Sequence, residues 1–177
     1  MGNFLDLCAR RQSCRNFNGK KVDREKLTRC VEAARLAPSG CNSQPWSFVV
    51  VDDPGVVPQV AKCGQPLEMN GFLDKASAFI IVLEEHAVLM PAIRKMLDSQ
   101  YMAKGDLGAA VEHICLEAAD QGIGTCIIGM YDRETLSKLL DIPIEKQFAG
   151  LIAVGHPASD TIRPKDRKPL NEIVRYV

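Results

Sequence analysis

The 177-residue chain contains no run of about 20 apolar residues, the length a membrane-spanning helix needs. Its opening stretch, MGNFLDLCARRQSC, also lacks the apolar core of a secretory signal. Asp6 stands where a myristoylation signal requires serine or threonine, so no lipid anchor is expected and the cytoplasm is the expected setting. None of the seven cysteines (Cys8, Cys14, Cys30, Cys41, Cys63, Cys115, Cys126) stands in a Cys-x-x-Cys pair, and the three histidines (His86, His113, His156) are scattered. That argues against a zinc site, and an odd number of thiols argues against a disulfide framework. The cysteines read instead as small buried apolar residues in a reducing compartment. Neither sign of charge is in excess, with 22 Lys plus Arg against 22 Asp plus Glu. No global field therefore draws the chain to nucleic acid or an anionic membrane, and any anion site must be local.

What is present is the composition of one ordinary globular domain, 46% hydrophobic and 25% charged, without repeats or low-complexity tracts. Hydrophobic spacing predicts a short helix at 3–9. A second, N-capped by Asp23, runs to about residue 37, where Pro38 stops it. Strands are predicted at 46–51, where Trp46 reads as a core anchor, and at 76–83, whose unbroken apolar run implies burial on both faces. A helix at 54–62 lies between them. The stretch 84–105 is ambiguous: Met90, Ile93, Met96 and Leu97 fit a helix, but Pro91 and the charges oppose it, and it reads as a mobile or lid-like segment. Asp106 is expected to cap the most amphipathic helix, with Leu107, Ala110, Val111, Ile114, Cys115 and Ala118 on one face and Gly122 at its end. Then follow a strand at 125–129, a helix from Asp132 to about 140, a strand at 148–154 and a basic, extended tail from Pro157. Gly122-x-Gly124 closes a helix and enters a strand, the reverse of a dinucleotide fingerprint, so it reads as a turn.

Three polar clusters stand out. Arg11-Gln12-Ser13-Cys14-Arg15 gathers enough donors to surround a phosphate, although short basic runs are more often solvated surface. Pro38-Ser39-Gly40-Cys41-Asn42-Ser43-Gln44-Pro45-Trp46 joins a helix to a strand. Its small and amide side chains suit either the edge of a heterocycle or simple loop capping. In the basic run from Arg163 to Pro169, extended geometry sends residues 163, 165 and 167 to one side; a solvated tail is the competing reading.

Taken together, the Arg-x-Ser-x-Arg motif, the PSxxNxQPW stretch, the Gly-x-Gly-Thr segment and the late Lys-x-Arg resemble the FMN-dependent nitroreductase family in order and spacing over nearly the whole chain. The resemblance implies an α+β fold, a nitroreductase-like mixed sheet flanked by helices, with residues 1–177 forming a single domain. It also implies a homodimer that binds two FMN molecules at the subunit interface. Arg11, Gln12, Ser13 and Arg15 would line the FMN phosphate, ribityl chain and pyrimidine edge, and Lys165 and Arg167 would complete the phosphate clamp. Pro38, Ser39, Gly40 and Asn42 would come from the opposite subunit. Cys126, Ile127, Ile128 and Gly129 would run beside the isoalloxazine near N5, and Asn70 is a further contact whose alignment needs a gap. Gly40 stands where many relatives have serine, and Gln12 where a basic residue is common. The chain is also short for the family, so the excursion covering the flavin is expected to be reduced.

The implied activity is FMN-dependent oxidation of NAD(P)H by a ping-pong cycle, with hydride passing through flavin N5 to a small electron-poor acceptor such as a nitroaromatic or quinone. No catalytic side chain is required, and Arg15 would stabilise the charge of reduced flavin. Three alternatives stand beside it. One is a narrower reductive flavoenzyme, an enone reductase or dehalogenase, drawing polar groups from Glu84, Glu85, Tyr101 and Lys104. Another is a non-catalytic flavin-binding or flavin-sensing protein. The third is a phosphate- or nucleotide-binding module without redox function. His113 reads as an interface or core residue and His156 as a loop residue.

Overall fold

In the computed structural model, which describes residues 3–94 and 98–177, the fold is organised around the apolar run Ala78-Phe-Ile-Ile-Val-Leu83. This run forms β2 (Ala78–Glu84), and every residue from Ala78 to Leu83 is buried. Strand alternation sends Ile80 and Val82 into one apolar cluster and Phe79, Ile81 and Leu83 into another, so the strand needs cover on both faces. Its neighbours are β1 (Trp46–Val51) and β4 (Phe148–Gly155), both antiparallel to it, and β4 pairs antiparallel with β3 (Gly124–Ile128). The order is β1-β2-β4-β3, which leaves β3 at an edge.

Two helical layers supply the cover. On one face lie α2 (Arg24–Arg35) and α5 (Ser99–Asp120), which contribute Leu27, Cys30 and Ala34 and Leu107, Ala110, Ile114 and Ala118. The other is covered by α3 (Val57–Cys63) and α6 (Arg133–Leu139) through Val60, Ala61 and Leu136. The short helices α1 (Phe4–Arg10), α4 (Pro91–Arg94) and α7 (Leu170–Ile173) lie outside these layers. The expected sheet flanked by helices is present, with Trp46 in the core, but its strands pair antiparallel throughout and are not mixed; the parallel pairing among the described residues is the isolated Ser13–Thr125 bridge. No described helix is long and apolar enough to cross a membrane.

Two helix starts differ from expectation. The long helix begins at Ser99: Asp98 is its cap, accepting from the Gln100 and Tyr101 N–H groups, and Asp106 lies in its interior. Gly105 and Gly108 weaken the local helical signal there, but burial of Ala103 beside Leu107 carries the helix through. Likewise α3 begins at Val57, because the Asp53 carboxylate takes the Gly55 and Val56 N–H groups and holds Pro54 in a preceding turn. Met96 and Leu97, which the periodicity placed in a helix, lie outside the described residues. The end of α5 is as expected: Gly122 at φ +71° closes it, and the Ile123 N–H reaches the Ala118 carbonyl at 2.8 Å.

Candidate functional site: a cationic cleft beside an open sheet edge

α1 ends at Arg10, and the chain then runs extended along β3. Ser13 forms a parallel bridge with Thr125, and the Cys14 N–H donates to the Thr125 carbonyl at 2.8 Å. This approach needs glycine at 124, where a Cβ would lie 2.7 Å from that of Cys14. The tail returns along the other side of the segment: Phe17 bridges Pro157, and the Ala158 N–H donates to Asn16 at 2.9 Å.

Further along, the Gln12 Nε2 donates to the Thr161 carbonyl at 2.9 Å, and the Gln12 Oε1 accepts from Arg163 Nε at 3.1 Å. Arg163 Nη2 donates to the Ser13 carbonyl, and Lys165 Nζ to the Arg11 carbonyl. Two clusters at opposite ends of the sequence thus form one surface. Arg11, Gln12, Ser13 and Arg15 face Arg163, Lys165 and Arg167 across a cleft of about 310 Å³. A second cleft of about 410 Å³ adjoins it, adding Ser159 and Thr161.

The cleft carries more positive than negative charge. Arg11 is paired with Glu112 of α5 at 3.3 Å, whereas Arg15 makes no ion pair among the described residues. Burial holds the Lys165 ammonium below its ordinary pKa, and Arg11, Arg167 and Arg163 lower it further against the opposing pull of Glu112. Such a site gains from an anion that relieves the crowding. Guanidinium forks and a lysine beside the Ser13 hydroxyl suit a phosphate monoester.

β3 supplies a second kind of binding group. The Thr125 carbonyl faces Cys14, so the backbone of Ile127, two residues on, faces the same edge, and no further strand pairs there among the described residues. Cys126 and Ile128 are buried, while Ile127 is 47% exposed and Gly129 is exposed. Of the four expected contacts, Ile127 thus has its N–H on the free side.

The structure does not bring the remaining expected residues to this cleft within one chain. Pro38, Ser39, Gly40 and Asn42 follow α2 in a turn where Ser39 Oγ accepts from the Gln44 N–H at 2.9 Å, and Cys41 and Asn42 take φ +53° and +52°. The Gly40 N–H donates to Asp106 on α5 at 3.1 Å. Arg11 is tied to Glu112 of the same helix, six residues on, which is about 9 Å along the axis and roughly 120° around it. Asn70, at φ +57°, donates its amide to the Gly64 carbonyl at 2.9 Å and does not line the cleft.

Arg163 stood in the basic run but not among the expected contacts; the alternation of residues 163, 165 and 167 was the signal for it. Two of the lid groups are already engaged. Glu85 pairs with Lys146 and accepts from Ser47 Oγ at 2.6 Å, and Glu84 accepts from Gln100 at 2.6 Å, while Tyr101 and Lys104 are exposed. Cys14, Cys30, Cys63, Cys115 and Cys126 are buried, and burial pushes Cys30 up to about 12 and Cys115 to about 11. Two cysteines depart from the expected burial: Cys8 is half-buried and Cys41 is exposed.

The fold and the cleft define an α+β protein with a phosphate-sized cationic site against a sheet edge. The chain belongs to the Nitroreductase family, whose model matches residues 8–156. It is 27% identical to an oxygen-insensitive NADPH nitroreductase of Helicobacter acinonychis, over 97% of this chain and 95% of that protein. It is 28% identical to an iodotyrosine deiodinase of Thermotoga neapolitana, over 99% and 98%. Among solved structures, a nitroreductase family protein of Streptococcus pneumoniae TIGR4 matches with TM-score 0.84 and 25% identity, over 99% of this chain and 100% of that one. A Desulfovibrio desulfuricans protein solved in complex with FMN matches with TM-score 0.76 and 25% identity, over 100% and 98%.

Proposed function

We propose that this chain is an FMN-dependent NAD(P)H oxidoreductase working as a homodimer, with each flavin held between two copies. The observation that carries the reading is the convergence of Arg11, Ser13 and Arg15 with Lys165 and Arg167 beside the free edge of β3. The donor set fits the group: cations and a hydroxyl for a phosphate, then a backbone N–H on an open strand edge for a flat heterocycle. Bound FMN would supply the hydride chemistry, from NAD(P)H to an electron-poor acceptor such as a nitroaromatic or quinone, in a ping-pong cycle. Lys165, Arg167 and Arg11 balance the phosphate, the Ile127 N–H is a donor toward the ring, and Arg15 offers positive charge to its pyrimidine edge.

The second copy is supported by three features. The Pro38–Asn42 loop lies on a different side of α5 from the cleft. Gly105 and Gly108 on that helix are exposed with nothing within 4 Å of where a Cβ would stand, which suits the close approach of another backbone. The tail also leaves Leu170, Ile173 and Tyr176 exposed, at 65%, 62% and 87%.

The test is the absorbance spectrum of the purified protein followed by anaerobic titration with NADH and NADPH. Flavin bands that bleach with either nicotinamide and return with a quinone support the reading. A yellow protein that neither nicotinamide reduces would make it a flavin binder without turnover, and a colourless one that takes up no FMN would overturn the cofactor. The similarity to the deiodinase favours reductive dehalogenation as a second reading, which release of iodide from iodotyrosine by the reduced protein would establish. Glu84 and Glu85 are not free to serve it, since Gln100, Ser47 and Lys146 already occupy them.

A further inference from the structure

We infer that Gln12 and Arg163 form a latch that positions the tail, and that through it they set how strongly the chain prefers a phosphorylated flavin over an unphosphorylated one. This rests on the FMN reading above. Gln12 stands where the motif commonly carries a basic residue, yet its amide is turned to the tail and not left for a ligand. Its Nε2 reaches the Thr161 carbonyl at 2.9 Å, and its Oε1 accepts from both the Arg163 N–H at 3.3 Å and Arg163 Nε at 3.1 Å. Arg163 in turn gives Nη2 to the Ser13 carbonyl. One guanidinium therefore grips the Arg11–Arg15 segment at two points about 150 residues away in sequence.

Nothing else holds this part of the tail by burial. Residues 158–164 are exposed apart from their hydrogen bonds, and the ammonium of Lys165, the next anchor, is itself disfavoured by its burial and then by its cationic neighbours. An exposed extended strap with no buried side chain depends mainly on such bonds to keep its place. Lys165 and Arg167 lie two and four residues beyond Arg163, so wherever Arg163 is fixed, their charges are delivered to the cleft. The latch acts on the phosphate end alone. The ring-binding groups proposed for Ile127 and Arg15 stand on β3 and on the segment bridged to it, which Thr125 holds independently.

The two members separate position from charge. Gln12 is neutral, so Gln12→Ala removes docking bonds and no cation. Arg163→Lys keeps the charge but lacks the planar fork that reaches two acceptors at once. With flavin removed, FMN and riboflavin are titrated into the wild type, Gln12→Ala, Arg163→Lys and Arg163→Ala by quenching of flavin fluorescence. Amide exchange of residues 161–167 is followed in the same apoproteins. Expected for both charge-preserving variants is an FMN affinity weakened about tenfold, riboflavin affinity within about twofold, and faster exchange in the tail. Thermal melts unchanged from wild type separate this from loss of fold. Charge-preserving variants that keep the wild-type FMN-to-riboflavin ratio, with only Arg163→Ala losing it, would show that charge alone matters and would overturn the latch. A wild type that binds neither flavin would instead overturn the FMN reading, and this inference with it.

Discussion

Gly124 lies under Cys14 so closely that a methyl group there would stand 2.7 Å from one carbon and 2.8 Å from the sulfur. Because Cys14 is held by its N–H to Thr125 on the same strand, relief requires the whole Ser13 segment to move away from β3. Gly124→Ala is therefore expected to lower stability by about 1–3 kcal/mol and to weaken FMN binding as well. Gly122→Ala is the control. That position has open space but φ +71°, so strain costs about 1 kcal/mol and flavin affinity stays at the wild-type level. Urea melts and flavin titration on both variants read the difference; equal loss of flavin in the two would reduce the effect to general instability.

Lys165 makes a pH prediction at the same scale. Its pKa in the folded chain lies below the ordinary lysine value of 10.5, so between the two the unfolded chain binds more protons. Its contribution to the stability of the flavin-free chain therefore rises with pH across that interval. A phosphate dianion works in the opposite direction, favouring the ammonium, so FMN affinity falls as pH climbs through the same interval. Riboflavin, without the phosphate, should show no such slope, and Lys165→Met should flatten the FMN curve. The charges of this site were legible because basic residues at positions 11, 15, 163, 165 and 167 are visible in any sequence. Their partners were not: Arg11 to Glu112 and Gln12 to Thr161 are long-range pairings that no local pattern encodes.

At the scale of elements, the strands were the most readable. An unbroken Ala-Phe-Ile-Ile-Val-Leu run has few alternatives to a central buried strand. Helix starts were less so. Asp106 has the chemistry of a cap, but a carboxylate inside a helix can equally serve a neighbouring loop, as this one does for Gly40, and the cap the structure uses, Asp98, falls within the stretch whose signals were mixed.

The stretch that follows β2 carries its own prediction. Glu85, just beyond β2, has its carboxyl held below the usual range by the Lys146 ammonium and then by Ser47, and its backbone N–H donates to Pro45 at 3.0 Å. The contribution is present above the unfolded value of 4.5 and is lost as pH falls through the depressed folded value. Lys146→Met should cost about 1 kcal/mol at neutral pH, since both side chains are about one-third exposed and screened by water. The loss should concentrate in residues 86–90, read as faster amide exchange there with the sheet unchanged. Uniform exchange across the molecule would show that Glu85 does not anchor this stretch.

For the whole molecule the sharpest expectations concern the second copy, because a lone chain and a pair predict opposite signs. In the lone chain, Gly108 is exposed, helical and unopposed, so Gly108→Ala should stabilise α5 by about 1 kcal/mol. If another copy packs its backbone against that face, the added methyl group separates the two. The dimer should then dissociate at higher protein concentration, measured by sedimentation, and FMN should be lost on dilution.

Mixing variants tests the shared site itself. Arg15→Leu damages the cleft and Asn42→Ala damages the loop, which lie apart in one chain. Each variant alone should bind FMN poorly. After the two are unfolded and refolded together, half of the dimers are mixed, and each mixed dimer regains one sound site beside one carrying both defects. About a quarter of all sites should then bind flavin at wild-type affinity. Recovery near zero, with mixed dimers demonstrated by mass spectrometry, would place Asn42 and Arg15 in separate functions, and the flavin would have to be gripped by one chain alone.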